Sequence, residues 1–487
     1  LKRLDGYLVY DTPQDRFGGC GFRVSPYLQN PSREAITFVW LSNANRAGQL
    51  SLWESATTMD EGAVQLESTP VRAEALAYHP MEDCHQEDCS RATLPYLHQL
   101  RVTGLEPGTQ YDYRVTQDAG HSEGWFMTPG NEREPLRFIV YADSETEPES
   151  TGKHALWPGE GALSKLRRYP LDQTDGYAQN LDVIKQRQPS FVAIAGDLVQ
   201  SGGEQRDWDE FWLHNAELAA STAILPSLGN HEYFGGPGKL GRYETRDSER
   251  AVRKYQSYFD LPDNRSENPL HAERYYALDY GVITLIVLDT NDGPPHRGDG
   301  DTNWVLRGEH DGGQAPDWQP GSEQHAWLVE TLRQAQLRSR FTFVMFHGTP
   351  WSSGVHARPP GEKLGEDILS AQPIQSLTSL FLSYGVDAVF SGHDEMYEHS
   401  VVSGVEKFPG GLNRDHVIHF YDVGIGGDGL RGPVEDVHNP HRIFLAHSDA
   451  PEVIGADGVL IDGGKHYGHL EVNIQMSTDG QWQARLD

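Results

Sequence analysis

The most informative segment of the sequence is Leu228-Gly229-Asn230-His231-Glu232, which follows a short apolar run. An Asn and a His placed after a buried strand can direct an amide oxygen and an imidazole toward a metal-bound phosphate. A five-residue motif is weak on its own, so its meaning depends on what else the chain places after strands of the same kind.

Four more clusters of Asp, Glu and His each follow a short apolar run that predicts a buried strand. They contain Asp143 with Glu145, Asp197, His347, and His393 with Glu395. Two metal ions that share one carboxylate can clamp a phosphoryl group while a metal-activated hydroxide attacks phosphorus in line. Such a centre needs hard oxygen ligands and imidazoles, and the five clusters together supply both.

The composition restricts the partners that the chain can bind. Its 487 residues include 71 acidic and 40 basic ones, and the formal net charge is −31. A surface this acidic repels the phosphate backbone of nucleic acids, so we expect no binding to nucleic-acid duplexes. A small phosphate ester is not excluded, because bound metal ions would neutralise the site locally. The chain contains no run of 18 apolar residues, which predicts that it does not span a membrane.

The cysteines and the first residue bear on the compartment. Cys84 and Cys89 lie five positions apart in an acidic segment, a spacing that suits a small disulfide loop. Free thiols are the first alternative, a zinc site with His85 is a poorer one, and Cys20 is predicted to be unpaired. A disulfide indicates an oxidising compartment, so we expect an extracytoplasmic protein, either periplasmic or secreted. The chain begins with Leu1 rather than Met, which agrees with a processed or trimmed N-terminus.

A chain of this length has room for two domains. Residues 20–130 contain short strand-like runs such as 35–41, with the turn sequence 104–109 between two of them, and this pattern predicts a β-sandwich. From residue 135 to 487, strand-like runs alternate with predicted helices, which is typical of a layered α/β domain. The predicted helices are 177–187, 324–337 and 374–384.

Two stretches rich in Gly and Asp, 291–322 and 426–466, interrupt this alternation. Long segments without a strand or helix pattern are usually loops, so we expect surface insertions beside or over the site.

These motifs, in this order, resemble the calcineurin-like metallophosphoesterase superfamily and, within it, the purple acid phosphatase branch. The resemblance covers most of the chain. The segments that carry it are 25–29 and 36–40 for the N-terminal domain, 229–232 for the third motif, His347 with Trp351 and His356 for the fourth, and Gly392-His393 for the last. It implies a fibronectin-like β-sandwich, residues 20–130, followed by a four-layered α/β/β/α metallophosphoesterase domain, residues 135–487.

The resemblance also implies a set of metal ligands. Asp197 would bridge two divalent metal ions. The second ion would bind Asn230, His347 and His393. The first ion would bind Asp143 together with the residue two positions after His393, which is His in the family and Glu395 here.

Three positions depart from the family pattern. Besides Glu395, Glu145 stands where the wider superfamily has a His ligand. Gln200 stands where the purple branch has a Tyr ligand, so we expect no phenolate-to-iron charge transfer and a colourless protein. Glu145 and Glu395 make the first site rich in carboxylates, which favours Mn or Fe there, with Ca, Mg or Zn as alternatives.

The resemblance assigns catalytic roles to two further imidazoles. His231 would donate a proton to the leaving alkoxide or stabilise phosphate oxygens, and His356 would face the substrate. The expected substrate is a small phosphate ester, either a diester or a monoester. The competing hypothesis is a non-catalytic metal-binding recognition module, in which Glu145 and Glu395 mark a degraded first metal site.

Overall fold

The computed structural model describes residues 2–4, 7–9, 21–82, 93–130, 134–158, 166–237, 245–291, 316–359, 371–408, 411–446, 452–456 and 460–487. Cys20, Cys84 and Cys89 lie outside the described residues, so their pairing stays a prediction, as does the compartment inferred from it. Most of the first predicted insertion, 291–322, also lies outside them. Within the described ranges, no helix has the length and apolar character that crossing a membrane requires.

The N-terminal part is built from antiparallel strands. Strands β1 to β10 are Lys2–Leu4, Tyr7–Val9, Phe22–Ser32, Ala35–Ser42, Gln49–Glu54, Val64–Glu67, Val71–Arg72, Tyr96–Thr103, Gln110–Gln117 and Gly120–Met127, and a one-turn helix α1 spans Met59–Gly62. β1 and β2 form a hairpin, and the other strands form two four-stranded sheets, with the orders β3-β4-β8-β7 and β10-β9-β5-β6. Phe38 of β4 contacts Tyr113 of β9 and Phe126 of β10 edge to face, with ring centroids 4.8 and 5.8 Å apart. The two sheets therefore pack against each other, as the strand pattern predicts.

The larger part alternates strands and helices. Its strands β11 to β26 are Leu136–Tyr141, His154–Pro158, Leu166–Asp172, Phe191–Ile194, Ala223–Pro226, Tyr276–Tyr280, Ile283–Val287, Phe341–Gly348, Ala388–Gly392, Tyr397–Lys407, Asn413–Val423, Arg442–Leu445, Val453–Ile454, Leu460–Asp462, Leu470–Met476 and Trp482–Leu486. Its helices α2 to α6 are Gln173–Arg187, Gln205–Ala219, Thr245–Tyr258, Glu323–Arg338 and Thr378–Ser383. The predicted helix 374–384 begins instead as a 3₁₀ turn, Gln372–Leu377, before α6. Helices α3 and α4 were not predicted.

Two mixed sheets form the centre of this domain. A five-stranded sheet has the order β15-β14-β11-β25-β26, and a seven-stranded sheet has the order β16-β17-β18-β19-β21-β20-β22. β11, β14 and β15 run parallel in the first sheet, as do β17, β18, β19 and β21 in the second. The carboxyl ends of the parallel strands therefore meet along one edge, where ligand sites form in open α/β sheets.

Alternating side chains along the strands produce four layers. Phe138 of β11 contacts Phe343 of β18 and Phe390 of β19, with ring centroids 5.5 and 6.1 Å apart, so the two sheets face each other. Val344 and Phe346 of β18 point to the opposite side, where they cluster with residues of α5 and α6. Residues of α2 and α3 join the core on the other side of the five-stranded sheet. The α/β/β/α prediction is confirmed.

The prediction for the stretch 426–466 is wrong at its first residues, which are buried rather than on the surface. The Gly426 amide donates to Ala142 O at 2.9 Å, and the amides of Gly427 and Asp428 both donate to Asp143 O at 3.0 Å. Because these bonds satisfy the backbone just after β11, the stretch is part of the site wall from its beginning.

Candidate metal centre

All seven predicted ligands lie where strands end, at one edge of the two sheets. In the five-stranded sheet, Asp143 and Glu145 follow β11, Asp197 follows β14 and Asn230 follows β15. In the seven-stranded sheet, His347 is the next-to-last residue of β18, and His393 and Glu395 follow β19. All seven are buried. Polar groups are buried in this way only when partners or bound ions compensate them.

The loops that carry these ligands have unusual backbone geometry. Five of the seven residues have a positive φ: Asp143 (59°), Glu145 (36°), Asp197 (51°), His393 (79°) and Glu395 (48°). Residues other than glycine rarely adopt this left-handed region, which costs about 1–3 kcal/mol each. The surrounding contacts impose the strained backbone, and such positions concentrate at functional sites.

Close packing beneath the loops requires glycine at two positions, each directly before a predicted ligand. A Cβ on Gly229 would collide with Asp197, and one on Gly392 would collide with the Asp143 carboxylate. Both glycines directly precede a predicted ligand, Asn230 or His393, so the missing side chain lets ligands from different strands approach one another.

Donor atoms of three predicted ligands converge on the imidazole of a fourth, His347. Its Nδ1 donates to Ala195 O at 2.9 Å, which directs Nε2 into the site. Around Nε2 lie Asn230 Oδ1 at 3.0 Å, Asp197 Oδ2 at 2.9 Å and His393 Nδ1 at 3.1 Å. An imidazole held by a carbonyl at its outer nitrogen is the usual arrangement of a metal-binding His. We call these four residues the imidazole end of the site.

At the imidazole end, Asp197 and His347 each favour the charged form of the other. Burial raises the pKa of Asp197, but the adjacent His347 and His231 outweigh this effect and lower it to about 2. Burial lowers the pKa of His347, but Asp197 outweighs this effect and raises it to about 10. The Asp197 carboxylate therefore stays ionised more readily than an ordinary aspartate, which agrees with its predicted role as a bridging ligand.

Glu145 and Glu395 meet a third carboxylate, Asp428, which was not predicted. One oxygen of each lies within 4.8 Å of the others, and we call this trio the carboxylate end of the site. Burial, then Asp428 and Glu395, raise the pKa of Glu145 well above its ordinary value. Burial also raises the pKa of Glu395, although the Arg431 guanidinium, 2.5 Å from its Oε1, opposes this shift. A bound cation would relieve the repulsion among these carboxylates.

Both imidazoles with predicted catalytic roles lie against the ligands. His231 Nδ1 is 2.9 Å from Gln200 O, and its Nε2 lies 3.6 Å from Glu145 Oε1. The Gln200 side-chain amide is 3.1 Å from the same Nδ1, so the residue at the expected Tyr position contacts His231. His356 packs against His393 with ring centroids 3.6 Å apart and the rings tilted by 34°, and its Nε2 accepts from Arg431 at 3.1 Å.

Glu232, the last residue of the Asn-His-Glu motif, holds two ligand loops together. Its buried carboxylate accepts from the amides of Gly229 at 2.7 Å, Leu198 at 2.8 Å and Asp197 at 3.0 Å. The loop after β14 and the loop after β15 are thereby tied at one point, although the sequence assigned Glu232 no role.

Glu232→Gln is expected to lower the free energy of unfolding by about 2–3 kcal/mol, because the new NH₂ group cannot accept from these amides and leaves buried donors without an acceptor. Urea denaturation followed by circular dichroism measures the change. Glu217→Gln is the control, since Glu217 is largely exposed on α3 and pairs only with Lys185 at the surface. Equal denaturation midpoints for the two variants would contradict the assigned role.

Models of two protein families match the chain. Residues 137–396 match the calcineurin-like phosphoesterases, and residues 22–128 match the purple acid phosphatase N-terminal domain. The first match begins in β11 and ends just after Glu395, so it spans all seven predicted ligands.

Individual relatives are more distant and longer. An uncharacterised protein of Mycobacterium tuberculosis is 28% identical over 320 residues, which are 64% of this chain and 52% of that protein. Purple acid phosphatase 21 of Arabidopsis thaliana is 25% identical over 303 residues, 62% of this chain and 53% of that protein. Other Arabidopsis relatives, 24 to 27% identical, carry the name "Probable inactive purple acid phosphatase". The chain spans about half the length of the curated relatives it matches first.

A solved structure shares the fold. The purple acid phosphatase from yellow lupin (Lupinus luteus) seeds aligns with a TM-score of 0.57, at 18% identity, over 95% of this chain and 73% of that chain. At this level of identity the likeness concerns the arrangement of strands and helices only.

Proposed function

Because the chain belongs to the calcineurin-like phosphoesterase family, we propose that it is a metal-dependent hydrolase of small phosphate esters. The observation that carries the proposal is the position of His231. This imidazole is outside the predicted ligand set, yet its Nε2 faces Glu145 at 3.6 Å and Asp197 at 3.9 Å. A module that only bound metal would have no need for a proton donor beside its ligands.

The donor atoms fit two metal ions of different character. At the imidazole end, Asn230, His347 and His393 offer an amide oxygen and two ring nitrogens, which suit Mn, Fe or Zn. Asp143, Glu145 and Glu395 offer only oxygen to the other ion, and Asp197 is the shared carboxylate. When bound, the ions lower the pKa of a coordinated water and neutralise charge on the phosphoryl group.

The side chains around the ligands supply the proton transfer. As the bond from the water oxygen to phosphorus forms, the bond from phosphorus to the alcohol oxygen breaks, and His231 donates a proton to that oxygen. Its Nδ1 contact with Gln200 O fixes the ring so that Nε2 faces the reaction. His356 is proposed to face the substrate beside Arg431. The reaction needs no covalent phosphoenzyme, and its products are an alcohol and a phosphate.

We expect a preference for diesters over monoesters. The site gathers five buried carboxylates: Asp143, Glu145, Asp197, Glu395 and Asp428. Arg431, Lys153 and Lys465 are cations that the structure describes near the carboxylate end. A diester carries less negative charge than a monoester, so it experiences less repulsion from this surplus.

Two observations support a second candidate function, a non-catalytic metal-binding module. Several relatives are named as inactive, and Glu395 takes the place of a His ligand here. In that case the metals would bind and no ester would be cleaved.

Metal content and turnover measured on the same sample separate the two functions. We expect two equivalents of metal by elemental mass spectrometry, hydrolysis of aryl phosphate diesters and monoesters, and loss of both after chelation. Reconstitution with Mn²⁺, Fe²⁺, Ca²⁺ and Zn²⁺, one at a time and in pairs, tests which ions restore turnover. Two bound equivalents without turnover in any combination would overturn the hydrolase in favour of the module.

A further inference from the structure

Asp428 is part of the site although the sequence did not predict it as a ligand. Its amide and that of Gly427 donate to the carbonyl of Asp143, so the backbone of Asp428 is tied to the first predicted ligand. Its side chain is buried, and Gln173 Nε2 donates to its Oδ1. The aspartate is therefore held in place before any ligand binds.

The trio Glu145, Glu395 and Asp428 lacks a partner that satisfies all of its oxygens. The carboxyl groups of Glu145 and Asp428 are in direct hydrogen-bonding contact with each other. Glu395 is only 2% exposed, and its Oε2 has no hydrogen-bond partner among the residues that the structure describes. A buried carboxylate oxygen without a donor is unfavourable unless a cation takes the donor's place.

Neighbouring cations contact two members of the trio, Glu395 and Asp428. Arg431 Nη2 lies 2.5 Å from Glu395 Oε1, the other oxygen of that carboxylate. Lys153 Nζ lies 3.7 Å from Asp428 Oδ1, the oxygen that Gln173 also contacts. Glu395 Oε2, the second oxygen of the carboxylate that Arg431 contacts, is therefore left without a hydrogen-bond partner among the described residues.

The trio is continuous with the predicted two-metal centre. Glu145 belongs both to the trio and to a second group, in which its oxygen lies within 4.8 Å of donor atoms of Asp197 and His231. An ion at the trio would therefore adjoin the bridging carboxylate rather than form a remote site.

We propose that Asp428 is a ligand of the first metal ion and that Glu145, Glu395 and Asp428 form a binding site selective for a hard divalent cation, Ca²⁺ or Mn²⁺. Carboxylate oxygens are the donors that these ions prefer, and Ca²⁺ accepts six to eight of them in flexible arrangements. The two ends of the site would then hold different elements, because imidazole nitrogens at the other end suit softer ions. The inference rests on the proposed metal centre but does not depend on hydrolysis.

Asp428→Asn tests the proposal, because it keeps the shape of the side chain and removes its charge. Metal-free protein is titrated with Ca²⁺ by calorimetry and with Tb³⁺ by luminescence, and zinc is titrated separately. We expect the variant to bind Ca²⁺ and Tb³⁺ at least tenfold more weakly while its zinc affinity stays within about twofold of the parent. Asp436→Asn is the matched control, since Asp436 lies eight residues further along, is more exposed and pairs with Arg358.

Each alternative outcome is decisive. Parental Ca²⁺ affinity in Asp428→Asn would remove Asp428 from the ligand set. Equal weakening of Ca²⁺ and zinc binding would assign it a structural role for the whole centre. Three equivalents of metal in the parent protein would place the trio outside the two-metal centre. If Asp428→Asn does not fold, Glu395→Gln, which leaves the backbone ties of the 426–428 segment intact, is held to the same expectation. Since every readout is binding, the result stands whether or not the protein hydrolyses esters.

Discussion

Asp197→Asn is expected to reduce turnover of phosphate esters by about 10³-fold or more, with loss of metal from both ends of the site. Asp197 is the residue on which the two ends depend: its Oδ2 contacts His347 Nε2, and its Oδ1 accepts from the His231 amide at 2.9 Å. In the Asn variant, one oxygen becomes an NH₂ group that cannot bind a cation. Charge stabilisation by a metal centre amounts to several kcal/mol, and about 4 kcal/mol corresponds to 10³ in rate.

The measurement is kcat with metal content determined on the same preparation. Asp182→Asn is the control, because Asp182 is largely exposed on α2 and pairs with Lys185 at the surface. Thermal unfolding of both variants shows whether the Asn protein is folded. Two equivalents of metal and more than a tenth of the parental turnover in folded Asp197→Asn would show that Asp197 does not bridge the metals.

Strand-end residues were predictable because two independent signals coincide there. A short apolar run marks a buried strand, and a ligand-type residue directly after it marks the edge where parallel strands end. Asp143, Asp197 and Asn230 satisfy both conditions on β11, β14 and β15 of one sheet. His347 and His393 do so on β18 and β19 of the other, and the structure brings all five together. Their roles as ligands stay predictions.

Asp428 was not predicted as a ligand, although it lies five residues after Val423, where β21 ends. It follows Gly426 and Gly427, and a glycine-rich stretch of this kind is typical of a surface loop. Its burial results from backbone bonds to Ala142 and Asp143, which lie almost 300 residues earlier in the chain. Contacts at that separation are properties of the folded chain and leave no local mark in the sequence.

Helix α3 was missed for a different reason, because its signal is present in the sequence. Trp208, Phe211 and Trp212 are spaced by three and four residues and are all buried, as the inner face of an amphipathic helix requires. The acidic residues between them make the segment resemble a loop in composition, and spacing outweighs composition here. The helix also carries contacts between the domains, since Arg23 of β3 pairs with Asp209 at 3.3 Å.

His231→Ala is expected to lower kcat by about 10²–10⁴-fold for esters of poorly acidic alcohols, the range typical of general acid catalysis. Esters of nitrophenol should lose much less, because nitrophenolate departs without a proton. Metal content should not change, since His231 is outside the predicted ligand set. The measurement is the dependence of kcat on the pKa of the leaving alcohol, in the parent and in the variant.

His325→Ala, on helix α5 away from the metal centre, is the control for removing an imidazole. Equal losses for all leaving groups would mean that His231 binds phosphate oxygens instead of donating a proton. An unchanged kcat for every leaving group would show that His231 takes no part in the reaction. A steeper dependence on leaving-group pKa in the variant is the result that only a proton donor produces. Because His231 Nε2 faces Glu145 and Asp197 while Gln200 holds its Nδ1, the geometry favours that result.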